Sequence, residues 1–371
     1  IIQNKSNNQS AVARILKAYI FWTITDRWGD VPYSEALTGN PAPKYDSQED
    51  IYKGIISELT AANAQFDGTS LITGDISSYG GDVDGWKKLA NSLRMLMALR
   101  LSNKFPAAGG YAATEFAAAL SASGGIIDDN SENYSIKYPG GNFKNPWYAL
   151  YDGRRDVGES KPMTDLTSSL NDGRQVAFAA DINGNPTTVG VPYGWKRENV
   201  DPWTSANPTW AYVLNNDLRP ETGKVVIVSA AQVFLARAEA ADRGWVAEDV
   251  NAMYINGIKA SFDQWGVAAP AASYFTQSGV VLSAAPGTGA NVSKIALQRY
   301  IATYPDGLQG WAEQRRTGVP ALVPAPDAVG EVVTRYVYGP NEYGSNKANV
   351  EAAAAALPGG DKQNSKVWWD Q

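Results

Sequence analysis

The sequence predicts a mostly α-helical protein of tetratricopeptide-like helical hairpins, interrupted at mid-chain by a large irregular insertion. Three observations carry this. Apolar residues recur at helical spacing in blocks on both sides of residues 124–224. Short turns join those blocks in pairs. Between the blocks, Gly, Pro, Asn and Asp recur, and no helical period lasts beyond a turn or two.

The first predicted helix covers 10–25, with Val12, Ile15, Leu16, Tyr19 and Thr23 on one face; Gly29 and Pro32 end it. Ser47 stands before Glu49 and Asp50, an N-cap with carboxylates in the first turn. The helix it starts, over 48–65, buries Ile51, Ile55, Ile56 and Leu59. A third covers 84–103, with Trp86, Leu89, Ala90, Leu93, Met97 and Leu101 inward. A fourth, rich in alanine, covers 111–121.

Helical texture returns over 226–243 through Val228, Ala231, Leu235 and Ala238, and Gly244 closes it. It continues over 247–264 with Met253, Tyr254, Ile258 and Phe262. Further helices are expected over 291–304, 308–315 and 346–356, the last ending before Pro358-Gly359-Gly360. Small residues in Ala238-Glu239-Ala240-Ala241 let a second helix approach closely, as in tetratricopeptide hairpins, although no clean repeat period runs along the chain. The whole chain, 1–371, reads as one domain, with 124–224 as an insertion within it.

Composition narrows the chemistry. The 371 residues contain neither histidine nor cysteine. That excludes Ser-His-Asp and Cys-His catalysis, thiol redox chemistry, disulfides and ordinary zinc sites. The formal net charge is −6 and no basic patch is visible, so nucleic acid is not an expected partner. No apolar run approaches the ~20 residues of a membrane span. The sequence starts at Ile1 rather than Met, so it reads as a processed or truncated product, with any targeting or lipidated segment expected upstream.

Several residues invite a functional reading. Asp26 and Asp30 resemble a catalytic carboxylate pair, but a helix end and Gly-Pro turn explain them better, with Asp26 paired to Arg27 or capping backbone. Glu239, Glu313, Arg315 and Arg316 suit an arginine threaded between helices to a glutamate, which fixes geometry rather than doing chemistry. Asp181-Ile182-Asn183-Gly184-Asn185 resembles half a calcium loop. It lacks the glutamate such a loop needs, so a tight turn is the better reading; no metal and no cofactor are expected. Trp86, Trp368 and Trp369 are expected to cover the core.

The mid-chain aromatics differ. Among the 12 Trp and 19 Tyr, the region 124–224 holds Trp147, Trp195, Trp203, Trp210, Tyr151, Tyr193 and Tyr212. Val191-Pro192-Tyr193-Gly194-Trp195, Asp201-Pro202-Trp203 and Asn207-Pro208-Thr209-Trp210 each set a ring beside Pro or Gly in a loop, where no helix face buries it. Proline reduces the entropy lost when such a loop orders. Sugar C–H faces pack on aromatic rings, while hydroxyls seek polar side chains. Tyr193, Trp195, Arg197, Trp203, Asn207 and Trp210 are therefore the candidate ligand-binding residues, with Lys196 and Asn199 nearby. The opposing reading has the rings only stapling an insertion that lacks its own core.

Segments spread in order along the chain resemble the SusD/RagB family, in its second SusD-like branch. They are Tyr19 to Ala36, including Asp26-Arg27-Trp28-Gly29-Asp30-Val31-Pro32-Tyr33; Tyr45 to Tyr52; and Gly80 to Arg94. After these come Ala238 to Ala241, Trp311 to Pro320, and the closing Glu342-Tyr343, Asn346 to Asn349 and Lys366 to Asp370. The resemblance implies a single α-helical domain built on tetratricopeptide hairpins. It implies a non-catalytic lipoprotein on the outer face of a Bacteroidota outer membrane, anchored by a lipidated segment upstream of Ile1. It also implies a SusC-like TonB-dependent transporter barrel as partner, with this protein as its hinged lid. The usual ligand would be an oligosaccharide, and in some relatives a peptide.

Other functions stay open on the sequence alone. A peptide-binding relative would rely more on backbone and charged contacts. A glycosidase would need two acids roughly 5–10 Å apart across a cleft, and none is singled out. A plain helical scaffold would present a broad polar concave face.

Overall fold

The structure, a computed structural model, describes residues 6–69, 71, 73–283, 285–328 and 330–371. Helix α1 (Asn7–Trp28) starts where the Ser6 hydroxyl accepts the Gln9 N–H and stops at Gly29, whose φ of 86° suits only glycine. Ser47 caps α2 (Gln48–Gln65) through the Asp50 N–H, as its position predicts. Asp82 caps α3 (Val83–Arg100), and α4 (Tyr111–Leu120) follows. Each of these four helices packs on the next.

The mid-chain region carries short elements. They are β1 (Tyr134–Lys137), α5 (Pro146–Ala149), α6 (Lys161–Ser169), α7 (Gln175–Phe178) and β2 (Ala179–Ala180), then α8 (Arg197–Ala206), β3 (Tyr212–Val213) and β4 (Lys224–Val228). Strand β1 pairs antiparallel with β4, and β2 with β3. The second helical block is α9 (Ala230–Asp242), α10 (Val250–Gln264), α11 (Ala272–Thr276), α12 (Val292–Ala302) and α13 (Gly307–Thr317). The chain closes with α14 (Pro340–Ser345), α15 (Lys347–Ala356) and a short turn of 3-10 helix at Trp368–Asp370.

Two expectations shift. The helix read from residue 226 begins only at Ala230, after a capping box of Ser229 and Gln232. Val225, Val226, Ile227 and Val228 lie in β4, because a β-branched run favours the pleated conformation once a partner strand is present. In the insertion, α6 and α8 are nine and ten residues long, more than the one or two turns expected. Helix α8 contains Pro202 and buries no residue fully, so it leaves no apolar stripe to read.

Helix α9 ties the two halves together. Val233, Ala236 and Ala240 face a core shared with α1 to α4, which includes Ile15, Ile51, Trp86, Phe116 and Trp369. Leu235, Ala238 and Ala241 face a second core with Phe178, Tyr254, Ile258, Phe262 and Ile295. Helix α10 approaches so closely that a Cβ on Gly257 would lie 2.6 Å from Leu235 Cγ. Trp86 and Trp369 are buried, as expected, and Trp368 is half-buried.

A charged cluster sits where these helices meet. Arg316 on α13 donates to both carboxylate oxygens of Glu239 on α9, each at 2.6 Å, and also to Glu313. Arg299 on α12 donates to Glu239 at 3.1 Å and to Glu313 at 3.2 Å. Burial raises the Glu239 carboxyl, yet Arg316 and Arg243 beside it outweigh that and hold it well below the usual carboxylate range. The cluster is thus a network of several arginines rather than one threaded pair.

Asp26 is a correction. Its partner is not Arg27: it accepts from Tyr52 and from the Trp369 indole at 2.8 Å, and Arg100 lies 3.6 Å away. Asp30 accepts the Gln48 N–H at 2.8 Å and so anchors the start of α2.

Replacing Arg316 with Met takes three bonds from two buried carboxylates, leaving Arg299 shared between them and Arg243 on Glu239. The variant is expected to lose about 3–5 kcal/mol of unfolding free energy, read by urea denaturation. A loss below about 1 kcal/mol would show that the cluster does not join the two halves.

Candidate functional site

The sequence-nominated loops hang on a small ladder of backbone bonds. Glu159 N–H donates to Ala211 O at 2.9 Å, and Val191 N–H donates to Glu159 O at 2.8 Å. Lys161 N–H donates to Val191 O at 2.8 Å, and Ala211 N–H to Val189 O at 2.9 Å. The ladder fixes the origin of Pro192 to Trp195 and that of Trp210. Glycines bring the loop in close: a Cβ on Gly190 would lie 2.6 Å from Lys161 Cα.

A second loop, residues 323–327, clamps the ring-bearing segment. Tyr193 Oη donates to Val323 O at 2.7 Å, and Lys196 N–H donates to Asp327 Oδ2 at 2.7 Å. Between them Gly194 has a φ of +68°, and a Cβ there would sit 2.0 Å from Ala325 Cβ. Only glycine meets both conditions.

Helix α8 follows. Arg197 is exposed and bonds Asp201 at 3.0 Å, one turn on. Asn207 ends the helix: its backbone N–H and its side-chain amide both donate to Trp203 O, at 3.0 and 2.8 Å. The Trp210 ring rests on Tyr212, centroids 4.2 Å apart. Tyr212 stacks on Tyr151 at 4.9 Å, and the Arg219 guanidinium lies 4.0 Å over Tyr151. Tyr212 and Arg219 are buried, so this stack supports Trp210 from beneath.

Two cavities border the loops. One, of about 650 Å³, is lined by Trp195, Trp210, Arg197, Asp201, Arg155 and Asp156 among others. The other, of about 520 Å³, is lined by Trp195, Tyr193, Trp203, Pro326, Lys161 and Asp165 among others. Trp195 belongs to both. The structure therefore brings together Tyr193, Trp195, Arg197, Trp203 and Trp210, with all four rings half-buried. Asn207 lines neither cavity. Sequence reasoning did not find the clamp at 323–327, which carries no motif. It named Tyr151 and Tyr212 only as part of the aromatic surplus.

Asp181 forms the tight turn the sequence suggests, its Oδ1 accepting the Asn183 and Asn185 N–H groups at 2.8 and 3.0 Å.

The profile of the second SusD-like family, described as starch-binding and associating with the outer membrane, matches residues 2–339. The structure is similar to that of a chitin-binding SusD homologue from Flavobacterium johnsoniae. The TM-score is 0.85 at 25% identity, over 100% of this chain and 83% of that one. A SusD homologue from Bacteroides uniformis gives 0.85 at 26% identity, over 97% and 81%. A structure described as a chitin-binding protein gives 0.81 at 28% identity, over 99% and 82%. No curated protein sequence gives a significant match.

One buried carboxyl under the site is expected to make stability fall as pH rises through the neutral range. Glu159, on the ladder, is 1% exposed. Its Oε2 accepts from Gln175 at 3.2 Å, and its Oε1 has no partner among the described residues. Burial pushes its pKa up from 4.5 to about 8, and the Gln175 bond offsets little of that. An acid whose pKa rises on folding gives stability that is complete below its unfolded value and lost as pH climbs through the folded one. Stability should fall between about pH 5 and pH 8. Glu159→Gln should flatten that fall, by on the order of a few kcal/mol at pH 9. Equal pH profiles of thermal unfolding for the two proteins would contradict this.

Proposed function

Because the chain belongs to the SusD-like family, we propose that it captures oligosaccharides at the outward face of the outer membrane and does not transform them. In this reading it is the lid of a SusC-like TonB-dependent barrel, attached to the membrane through a lipidated segment upstream. Residues 1–371 act as one SusD-like domain, and the 124–224 insertion carries the ligand site.

The observation behind this is Trp195. One indole borders two cavities, with Trp210 in the first and Tyr193 and Trp203 in the second. A glycan is a row of rings, each with an apolar face and a rim of hydroxyls. Indoles receive the faces, and Arg197, Asp201, Lys161 and Asp165 suit the rims. The clamp and the stack hold the rings before ligand arrives, which lowers the entropy cost of binding. Two similar structures are described as chitin-binding, so N-acetylglucosamine oligomers are the first class to try.

A peptide ligand is the second reading, favoured by the four charged residues Arg155, Asp156, Arg197 and Asp201 around the first cavity. Native mass spectrometry against mixed oligopeptides and oligosaccharides separates the two.

Trp195→Ala is expected to weaken chitohexaose binding about tenfold, close to 1.4 kcal/mol, by calorimetry. Trp203→Ala and Trp210→Ala should each weaken it less. Unchanged affinity in all three variants would remove the site from these loops. Release of new reducing ends from bound glycan would end the non-catalytic reading.

A further inference from the structure

A third cavity, of about 690 Å³, opens where β4, the end of α10 and the turn between α12 and α13 meet. It shares no lining residue with the two cavities beside Trp195. Trp147 on α5 and Trp265 at the end of α10 both line it, from segments far apart in sequence. Trp265 is held edge-on against Phe178, centroids 6.0 Å apart, and Tyr304 is fixed by a 3.0 Å bond to Phe178 O. The cavity thus has aromatic walls set by the second core.

Polar atoms interrupt those walls. The Trp265 indole N–H and the Gln264 side-chain carbonyl have no partner among the described residues. Gln232 gives its carbonyl to the Ser229 N–H at 3.3 Å, and no acceptor takes its amide N–H groups among the described residues. A buried donor or acceptor left unpaired is costly, so the Trp265 and Gln264 atoms, beside a cavity, point to something that pairs with them.

We propose that this groove is a second carbohydrate site, which takes a neutral pyranose with its apolar face against the indoles of Trp147 and Trp265. A small rotation of the Trp265 and Gln264 side chains, whose unpaired atoms are buried, brings the indole N–H and the amide to the sugar hydroxyls, and the Gln232 amide meets a third. The ligand class rests on the proposed function above; the place does not. A wholly apolar guest would leave the donors and the acceptor unpaired. An anionic guest would meet two carboxylates, Asp217 and Asp306, against the single cation Lys224, all lining the groove. A pyranose offers a C–H face and hydroxyls together. Two sites on one chain let a long glycan, or two glycans, be held with greater persistence than either site gives alone.

The test titrates the whole chain with chitohexaose and, separately, maltohexaose, counting bound glycans by native mass spectrometry and affinity by calorimetry. The wild type should bind two glycans. Trp147→Ala, at a half-buried position, should bind one, and so should Trp195→Ala. Gln264→Leu, which keeps the side chain's size, should weaken the groove site at least fivefold and guards against misfolding of the tryptophan variant. A wild type that binds one glycan, lost with Trp195→Ala and kept with Trp147→Ala, overturns the groove and leaves the loop site standing. Binding kept in Trp195→Ala and lost in Trp147→Ala supports the groove and overturns the loop site. No adduct with either hexasaccharide overturns both.

Discussion

The carboxylate of Glu239 is the point on which the architecture turns. It lies fully buried on α9, the helix shared by both cores, and takes arginines from α12 and α13 as well as Arg243 one turn on. Desolvating such charges is costly. The return comes only when every lone pair is matched in one geometry. That makes the cluster a selector of arrangement more than a source of stability. Arg316 also donates to Ser102 just beyond α3, at 2.8 Å. Arg100, at the end of α3, lies 3.8 Å from Glu313 in the cluster and 3.6 Å from Asp26 on α1. Asp26 in turn holds Tyr52 on α2 and Trp369 in the tail. One chain of charge and hydrogen bond thus runs from the second helical block through the first to the last residues.

The ring-bearing loops rest on that frame without belonging to it. Helix α8 buries nothing fully, so its residues contribute little to either core. What fixes the loops is local: backbone bonds at Glu159 and Val191, the fit of Gly194 against Ala325, and the stack that ends at Arg219. Each leaves indoles half-exposed yet held in place by contacts beneath them. A ring in this state costs little to order and has apolar surface left uncovered, which suits the proposed capture by contact.

The helices were legible in the sequence because their signals are local. Ser47 and the 3.6-residue spacing of Ile51, Ile55 and Leu59 lie within a few turns of one another. Strand β4 was not, because Val225 to Val228 suits either state until β1 supplies a partner from far upstream. The partner of Asp26 was misread for the same reason: Arg27 is adjacent in sequence, whereas Arg100 arrives only by folding. At the site, the ring-bearing loops stood out because Pro and Gly beside Trp have no helical explanation. Asn207 looked like a hydroxyl ligand by residue type. In the fold its amide caps α8, since a short polar side chain at a helix end finds backbone before it finds solvent. The groove at Trp147 and Trp265 had no sequence signature, because its walls come from four separate segments.

The position of Trp195 bears on the length of the ligand. A single sugar ring bound in one cavity would leave the other cavity that Trp195 borders unfilled. Trp210 and Trp203 stand in different cavities, so no lone sugar reaches both. On the proposed reading, a glycan that fills both cavities must pass Trp195 and continue, so it needs more than one ring. The frame sets the distance between these indoles through the ladder and the clamp, and the ladder itself carries the buried Glu159. Ligand length and site geometry are then fixed by the same few contacts. If the proposed reading holds, substitution at the rim residues Arg155, Lys161 or Asp165 should change which sugar is preferred and leave the number of rings needed to span both cavities unchanged.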